Sequence, residues 1–304
     1  MKNTTLIRLP LVLATLCVSL ASIPAYAAGT LDKISASKAI TMGVRDSSGA
    51  LSYTLGDGKY TGFHVEICKR VILDLEKRLR TAIKVDYQSV TSQNRIPLVQ
   101  NGTVDIECGS TTNNATRQKD VAFAVTTYVE EVRIAVKADS NISTIAQLAN
   151  KKVATTTGTT SVQHLRKNER AIGVNFEEIF GKDHADSFLL LESGRADAFV
   201  MDGSILAGNI ANAKNPKDFK IVGEVLSVEP IAIMIRKDDP EFKTAVDNSI
   251  KAMMKDGTIA RMYKQWFQDP IPPKGNRVGL DLSENTKYAW ANPNDKPAEE
   301  YVKR

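Results

Sequence analysis

Between Ala39 and Met201 the sequence alternates strand-like and helix-like stretches, and at Lys152 the rhythm starts again. Ala39–Arg45 reads as a strand. Val65–Arg80 reads as a helix with Val65, Ile67, Cys68, Val71, Ile72 and Leu75 on one side. Ala82–Val90 alternates as a strand, Asn94–Gln100 is a short helix and Val104–Gly109 is another strand. The second half repeats the pattern: strand Lys152–Thr155, helix Thr160–Asn168, strand Asn175–Phe180, helix Ala185–Ser193, strand Ala196–Met201. Such alternation predicts an α/β protein with mixed sheets flanked by helices.

An internal echo points to two similar lobes. Leu98-Val-Gln-Asn-Gly102-Thr-Val-Asp105 aligns with Leu190-Leu-Glu-Ser-Gly194-Arg-Ala-Asp197. Each reads as a helix closed by a glycine, a tight turn and then a buried strand. Five residues past each aspartate stand Ser110 and Asp202, at the C-terminal ends of strands, the edge where open α/β sheets bind ligands. Two apolar segments, Val132–Lys137 and Ile231–Arg236, read as crossovers between the lobes and so as a two-strand hinge. Pro240–Phe267 is helical and amphipathic, stopped by Pro270, Pro272 and Pro273, and the polar tail to Arg304 is expected on the surface or partly loose.

The first residues read as a secretory leader. Lys2 and Arg8 precede an apolar run from Leu9 to Ser22 that is short for a membrane span, and Ala25-Tyr26-Ala27 offers a small-x-small cleavage site. Cys17 follows the large Leu16, so a lipid-anchor signal is not read there. Cleavage after Ala27 removes two bases and no acid, lowering the net charge from +5 to about +3. That charge is mild and its bases are scattered, so no nucleic-acid partner is expected. A secreted chain can pair Cys68 with Cys108, but two buried thiols fit equally well. His64, His164 and His184 form no ligand-like cluster, and neither a metal nor another cofactor is expected.

Donor-rich groups gather at element ends. Arg45 ends a strand, Ser92 and Arg95 open a helix, and Ser110 and Thr112 follow a strand with Arg117 close behind. Thr157-Gly158-Thr159-Thr160 opens another helix, as does His184. Hydroxyls and free N–H groups at helix N-termini suit carboxylates. Singly, Ser92, Thr160, His184 and Asp202 could be helix caps, and the arginines could be surface residues. Together they make a polar constellation in which Asp202 is the one acid at the expected ligand edge.

From about Leu31 to Pro273 the chain resembles the glutamate/aspartate-binding proteins of bacterial ABC transporters, within the polar amino-acid periplasmic binding proteins. The stretches that carry the resemblance include Thr91-Ser-Gln-Asn-Arg-Ile-Pro97, Glu107-Cys-Gly-Ser-Thr-Thr-Asn-Asn114, Gly158-Thr-Thr-Ser161, Lys182-Asp-His184 and Asp269-Pro-Ile-Pro-Pro-Lys274. The resemblance implies the type II two-lobed periplasmic-binding-protein fold, with lobe one at 28–130 and 228–304 and lobe two at 131–227. It also implies a periplasmic location, an acidic amino acid as ligand, a membrane permease as partner and function as a monomer. It places Arg117, Thr112 and Thr160 on the ligand's α-carboxylate, Asp202 and Ser110 on its ammonium, and Arg45, Ser92, Arg95 and His184 on its side-chain carboxylate. The family's aromatic-rich stretch after the first arginine is Ser48-Gly49-Ala50-Leu51 here, and Ile233 stands where relatives can carry a second cysteine.

Three arginines against one aspartate leave the site at about +2, which favours a dicarboxylate and rejects a basic amino acid. A neutral amino acid would leave Arg45 and Arg95 buried without partners, and such mismatches produce specificity. Two other functions fit the same fold. One is a periplasmic enzyme resembling cyclohexadienyl dehydratase, with Glu107 or His184 as general acid or base. The other is a ligand sensor for a signalling receptor.

Overall fold

The alternation at Ala39–Val44 buries Ile40, Met42 and Val44 and makes this strand the centre of a parallel ladder with Lys84–Ser89 and Ile106–Glu107. Met234–Arg236 and Val121–Phe123 extend the sheet in antiparallel fashion to five strands. A computed structural model of the chain describes residues 29–301; the leader read at 1–27 lies outside them. A second five-stranded sheet repeats the plan: Glu177–Gly181, Lys152–Thr156 and Ala198–Asp202 run parallel, and Tyr128–Lys137 and Phe219–Ile231 complete it antiparallel. Helices cover both sheets, so the fold is the two-lobed α/β arrangement expected.

The echo is a structural device used twice. Gly102 and Gly194 both adopt positive φ, at 75° and 73°, closing their helices. After the turn, Val104 N–H donates to Leu98 O and Ala196 N–H to Leu190 O, each at 2.9 Å. The carboxylates of Asp105 and Asp197 then accept an N–H of the neighbouring strand, from Thr41 and Lys152, both at 2.9 Å. Ser110 and Asp202 are thereby carried to equivalent edges.

The helix expected from Val65 begins at Phe63 and runs to Leu79, burying the predicted face together with Phe63 and His64. Cys68 on this helix forms a disulfide with Cys108, which resolves the open question of their pairing. Both lie in the largest apolar core, with Phe63, Tyr128, Tyr263 and Phe267 stacked edge and face against one another. The stretch from Pro240 is interrupted. A helix to Lys255 stops before Gly257, which has φ 75°, and Thr258–Tyr263 and a π turn at Lys264–Gln268 follow.

The expected crossovers need correction. Val132–Lys137 is not a crossover but a ladder partner of Ala198–Asp202, and Met234–Arg236 already belongs to the first sheet. The passage between sheets lies earlier on each segment, where Tyr128–Val132 pairs with Ser227–Ile231. Apolar runs look alike whether they cross a hinge or enter a sheet, so burial alone could not locate the passage. The described part of the tail, to Tyr301, wraps on the surface, the first of the two arrangements expected for it. Glu284–Ala291 is a helix, Trp290 Nε1 donates to Thr127 O at 2.8 Å and Thr286 Oγ1 accepts from Val129 N–H at 3.1 Å. The tail therefore packs directly on the first crossing strand.

Candidate ligand-binding cleft

Residues just past the C-terminal ends of the parallel strands of both sheets meet in one buried cleft. Arg45 Nη2 donates to Ser92 Oγ at 2.9 Å, and Arg45 Nη1 to Ser110 Oγ at 3.4 Å. The same Nη2 lies 3.1 Å from His184 Nε2 on the opposite lobe. A guanidinium only donates, so Nε2 accepts and the ring proton sits on Nδ1, facing Thr156 Oγ1 at 3.0 Å. Burial, with Arg45 and Arg95 adding to it, pushes His184 well below its ordinary pKa and keeps it neutral. With both ring nitrogens engaged, His184 positions Arg45.

Arg117 Nη1 donates to Thr112 O at 2.8 Å and Nη2 reaches across the cleft to Gly158 O at 3.4 Å. Burial, then Arg95, lowers Arg45 to about 10 and Arg117 to about 9, so both remain cationic near neutral pH. Arg95 differs from them. It is only 2% exposed, yet its Nε and Nη1 have no hydrogen-bond partner among the described residues. Asp202, also 2% exposed, has an equally unpartnered Oδ1. Its side chain does not cap the helix that follows, which removes the plainer explanation for this acid. The cap before His184 is Asp183, and Thr160 follows Thr159 without a side-chain cap bond.

Hydrogen bonds gather Arg45, Ser92, Ser110 and His184 in one cluster and Thr112, Arg117 and Thr160 in another, with Arg95 and Asp202 buried within electrostatic reach, and the structure adds acids that sequence reading left out of the count. Glu229 is fully buried, and its Oε2 accepts the hydroxyls of Thr112 and Thr160, each at 2.7 Å. Those two hydroxyl protons are therefore engaged by Glu229 rather than turned toward an α-carboxylate. Burial alone would raise Glu229, but donors from His164, Thr112 and Thr160 hold it below the usual carboxylate range. Glu130, cross-strand from Glu229, accepts from the Ser204 hydroxyl and is pushed by burial up to about 7. Glu107 accepts from the Thr111 hydroxyl at 2.7 Å beside Arg45. The count of +2 against a single acid is therefore wrong. Discrimination must rest on which buried polar atoms are left unpaired. A signal was present in the sequence: Glu130 and Glu229 are charges inside apolar strand runs, where an unpaired charge is not tolerated.

The stretch Ser48-Gly49-Ala50-Leu51 also contributes. Ser48 Oγ lies 2.9 Å from Ser110 Oγ. Gly49 packs so tightly on the other lobe that a Cβ on Gly208 would lie 2.7 Å from Gly49 Cα. Gly208 has ordinary helical backbone, so Gly208→Ala favours its own helix by about 1 kcal/mol while obstructing closure. The expected outcome is ligand affinity reduced at least about tenfold with thermal stability unchanged or raised. Calorimetry paired with a melting curve checks both halves.

Residues 40–269 match the bacterial extracellular solute-binding proteins, family 3. The chain belongs to that family. It is 45% identical over 277 residues to the L-glutamate/L-aspartate-binding protein of Pseudomonas aeruginosa, covering 90% of this chain and 91% of that one. It is 42% identical over 271 residues to the glutamate/aspartate import solute-binding protein of Escherichia coli K12, with 89% and 90% covered. Among solved structures, an ancestral amino acid-binding protein, a precursor of cyclohexadienyl dehydratase, superposes with a TM-score of 0.68 at 30% identity, covering 79% of this chain and all of that one. Among the described residues of this family member, no helix is long and apolar enough to cross a membrane.

Proposed function

We infer that this protein captures L-glutamate or L-aspartate between its two lobes in the periplasm and delivers it, as a monomer, to the membrane permease of an ABC importer. The observation that carries this reading is a pair of buried, unpartnered polar groups of opposite kind: the donors Arg95 Nε and Nη1, and the carboxyl oxygen Asp202 Oδ1. A buried polar atom without a partner costs about 1–3 kcal/mol, and more where it is charged as in Arg95, so such atoms are kept for a molecule that completes them. An α-amino acid with a second carboxylate supplies the anion for Arg95 and the cation for Asp202. Arg117 takes the α-carboxylate, Arg45 with Ser92 and His184 backs the side-chain carboxylate, and Ser110 stands beside the ammonium. Thr112 and Thr160 line the site with their hydroxyl oxygens. In this reading lobe one is 28–130 and 228–304, lobe two is 131–227, and residues 1–27 are the exported leader. Binding rather than catalysis is favoured because the curated relatives at 42–45% identity are solute-binding proteins.

Titration calorimetry with glutamate, aspartate, glutamine, asparagine and arginine tests the reading. Glutamate and aspartate should bind at least about a hundredfold tighter than their amides, because the amide leaves buried donors unmatched. Equal affinity for glutamate and glutamine would sink it.

A further inference from the structure

Glu229 is an anion beside a cleft that receives an anion, and attraction to the ligand cannot explain it. It lies on the second crossing strand, Phe219–Ile231, opposite Glu130 of the first. Both of its oxygens are engaged within the protein. Oε2 takes the hydroxyls of Thr112 and Thr160, and Oε1 lies 2.6 Å from His164 Nε2. An ionised carboxylate only accepts, so His164 donates from Nε2. The three donors come from both sides of the cleft. Thr112 lies in the first-sheet segment before the crossing, while Thr160 and His164 stand one turn apart on the second-sheet helix Thr160–Ile172. Thr112 Oγ1 and Thr160 Oγ1 are themselves 3.4 Å apart across the cleft.

We propose that Glu229, oriented by His164, is a closure latch: a positioning residue that joins Thr112 of one lobe to Thr160 of the other without help from the ligand. The role rests on the reading of the cleft as an amino-acid site between two lobes. A latch of this kind gives the ligand-free protein a standing population of the closed arrangement, and it does so at some loss of attraction for an anionic ligand. Affinity is reduced by the fraction of molecules that are not closed, so the latch acts on every amino-acid ligand by the same factor. A residue that touched the ligand would instead change the ratio between ligands.

The test uses the mature chain and three variants. Glu229→Gln keeps the shape of the side chain but replaces one accepting oxygen with a donor. His164→Leu removes the orienting donor from a side chain that is 25% exposed, where folding is tolerant, and His164→Gln restores a donor. Small-angle scattering without ligand should show Glu229→Gln and His164→Leu more expanded than wild type, with His164→Gln returning toward it. Glutamate and aspartate affinities should fall together, by about tenfold if the closed fraction drops tenfold. The latch is refuted if the ligand-free wild type is as expanded as both variants, or if the variants alter the glutamate-to-aspartate ratio without altering ligand-free dimensions. The scattering comparison needs no ligand. A wild type that gave no heat with either amino acid would overturn the ligand reading, and the latch would still be judged by the scattering.

Discussion

Arg95→Gln is expected to weaken glutamate binding by about two to four orders of magnitude while leaving glutamine binding within about tenfold of wild type. Three buried arginines face the cleft, but they are not equivalent. Arg45 spends Nη2 on Ser92 and His184, and Arg117 spends one N–H of each terminal nitrogen on the carbonyls of Thr112 and Gly158. Arg95 brings Nε and Nη1 with no hydrogen-bond partner among the described residues. Two charge-assisted hydrogen bonds to a carboxylate contribute roughly 3–6 kcal/mol, which is the source of the expected factor. Both ligands carry the same ammonium and α-carboxylate, so any general weakening of the cleft cancels when their affinities are compared. What remains is the side-chain carboxylate against the amide. Titrating both ligands into both proteins measures this ratio, and an unchanged ratio would remove Arg95 from the side-chain subsite.

The fold, and the burial of the arginines of the candidate cleft at element ends, were legible in the sequence because they rest on local patterns. The echo of Leu98–Asp105 in Leu190–Asp197 encodes a helix end, a positive-φ glycine and an aspartate that receives the next strand's N–H, all within eight residues. That device fixes where Ser110 and Asp202 emerge, and the arginines follow from their places at neighbouring element ends. The acidic half was missed for a different reason. Glu229 draws its meaning from Thr112 and Thr160, 117 and 69 residues away in the chain, and no local pattern records that meeting. The passage between lobes was displaced for a related reason: Val132, Ile134 and Val136 belong to the second core, and an apolar run does not distinguish a core strand from a crossing segment. The tail's packing likewise depends on distant partners, Thr127 and Val129, rather than on its own polar composition.

Asp202→Asn should cost about 2–5 kcal/mol of binding, a factor of roughly thirty to several thousand, and should also abolish a proton release that the wild type shows. Burial, then Glu130 and Glu229, raises the Asp202 carboxyl well above its ordinary value, against the opposing pull of Arg95 and Arg117. Before binding it therefore holds its proton at pH values where an exposed aspartate has lost it. An ammonium docking on Oδ1 stabilises the charged form and lowers that pKa. The sign follows: the bound state carries fewer protons than the free state between the two pKa values, so affinity rises with pH through that window and falls as the medium is acidified. Calorimetry in buffers of different ionisation enthalpy, repeated at several pH values through that window, should report proton release by wild type, less any share taken by Glu130, which burial pushes up to about 7. Asp202→Asn keeps the size of the side chain and, with it, the packing at the end of the Ala198–Asp202 strand. It should nonetheless lose most of that proton release. The same substitution should blunt closure, because Asp202 belongs to the second sheet while Arg95 and Arg117 belong to the segment before the first crossing. One ligand bonded to both sides is what shifts an open–closed equilibrium. Scattering at saturating glutamate should show the wild type contracting and Asp202→Asn contracting much less. A variant that released the wild-type number of protons and closed fully would place the ammonium elsewhere in the cleft.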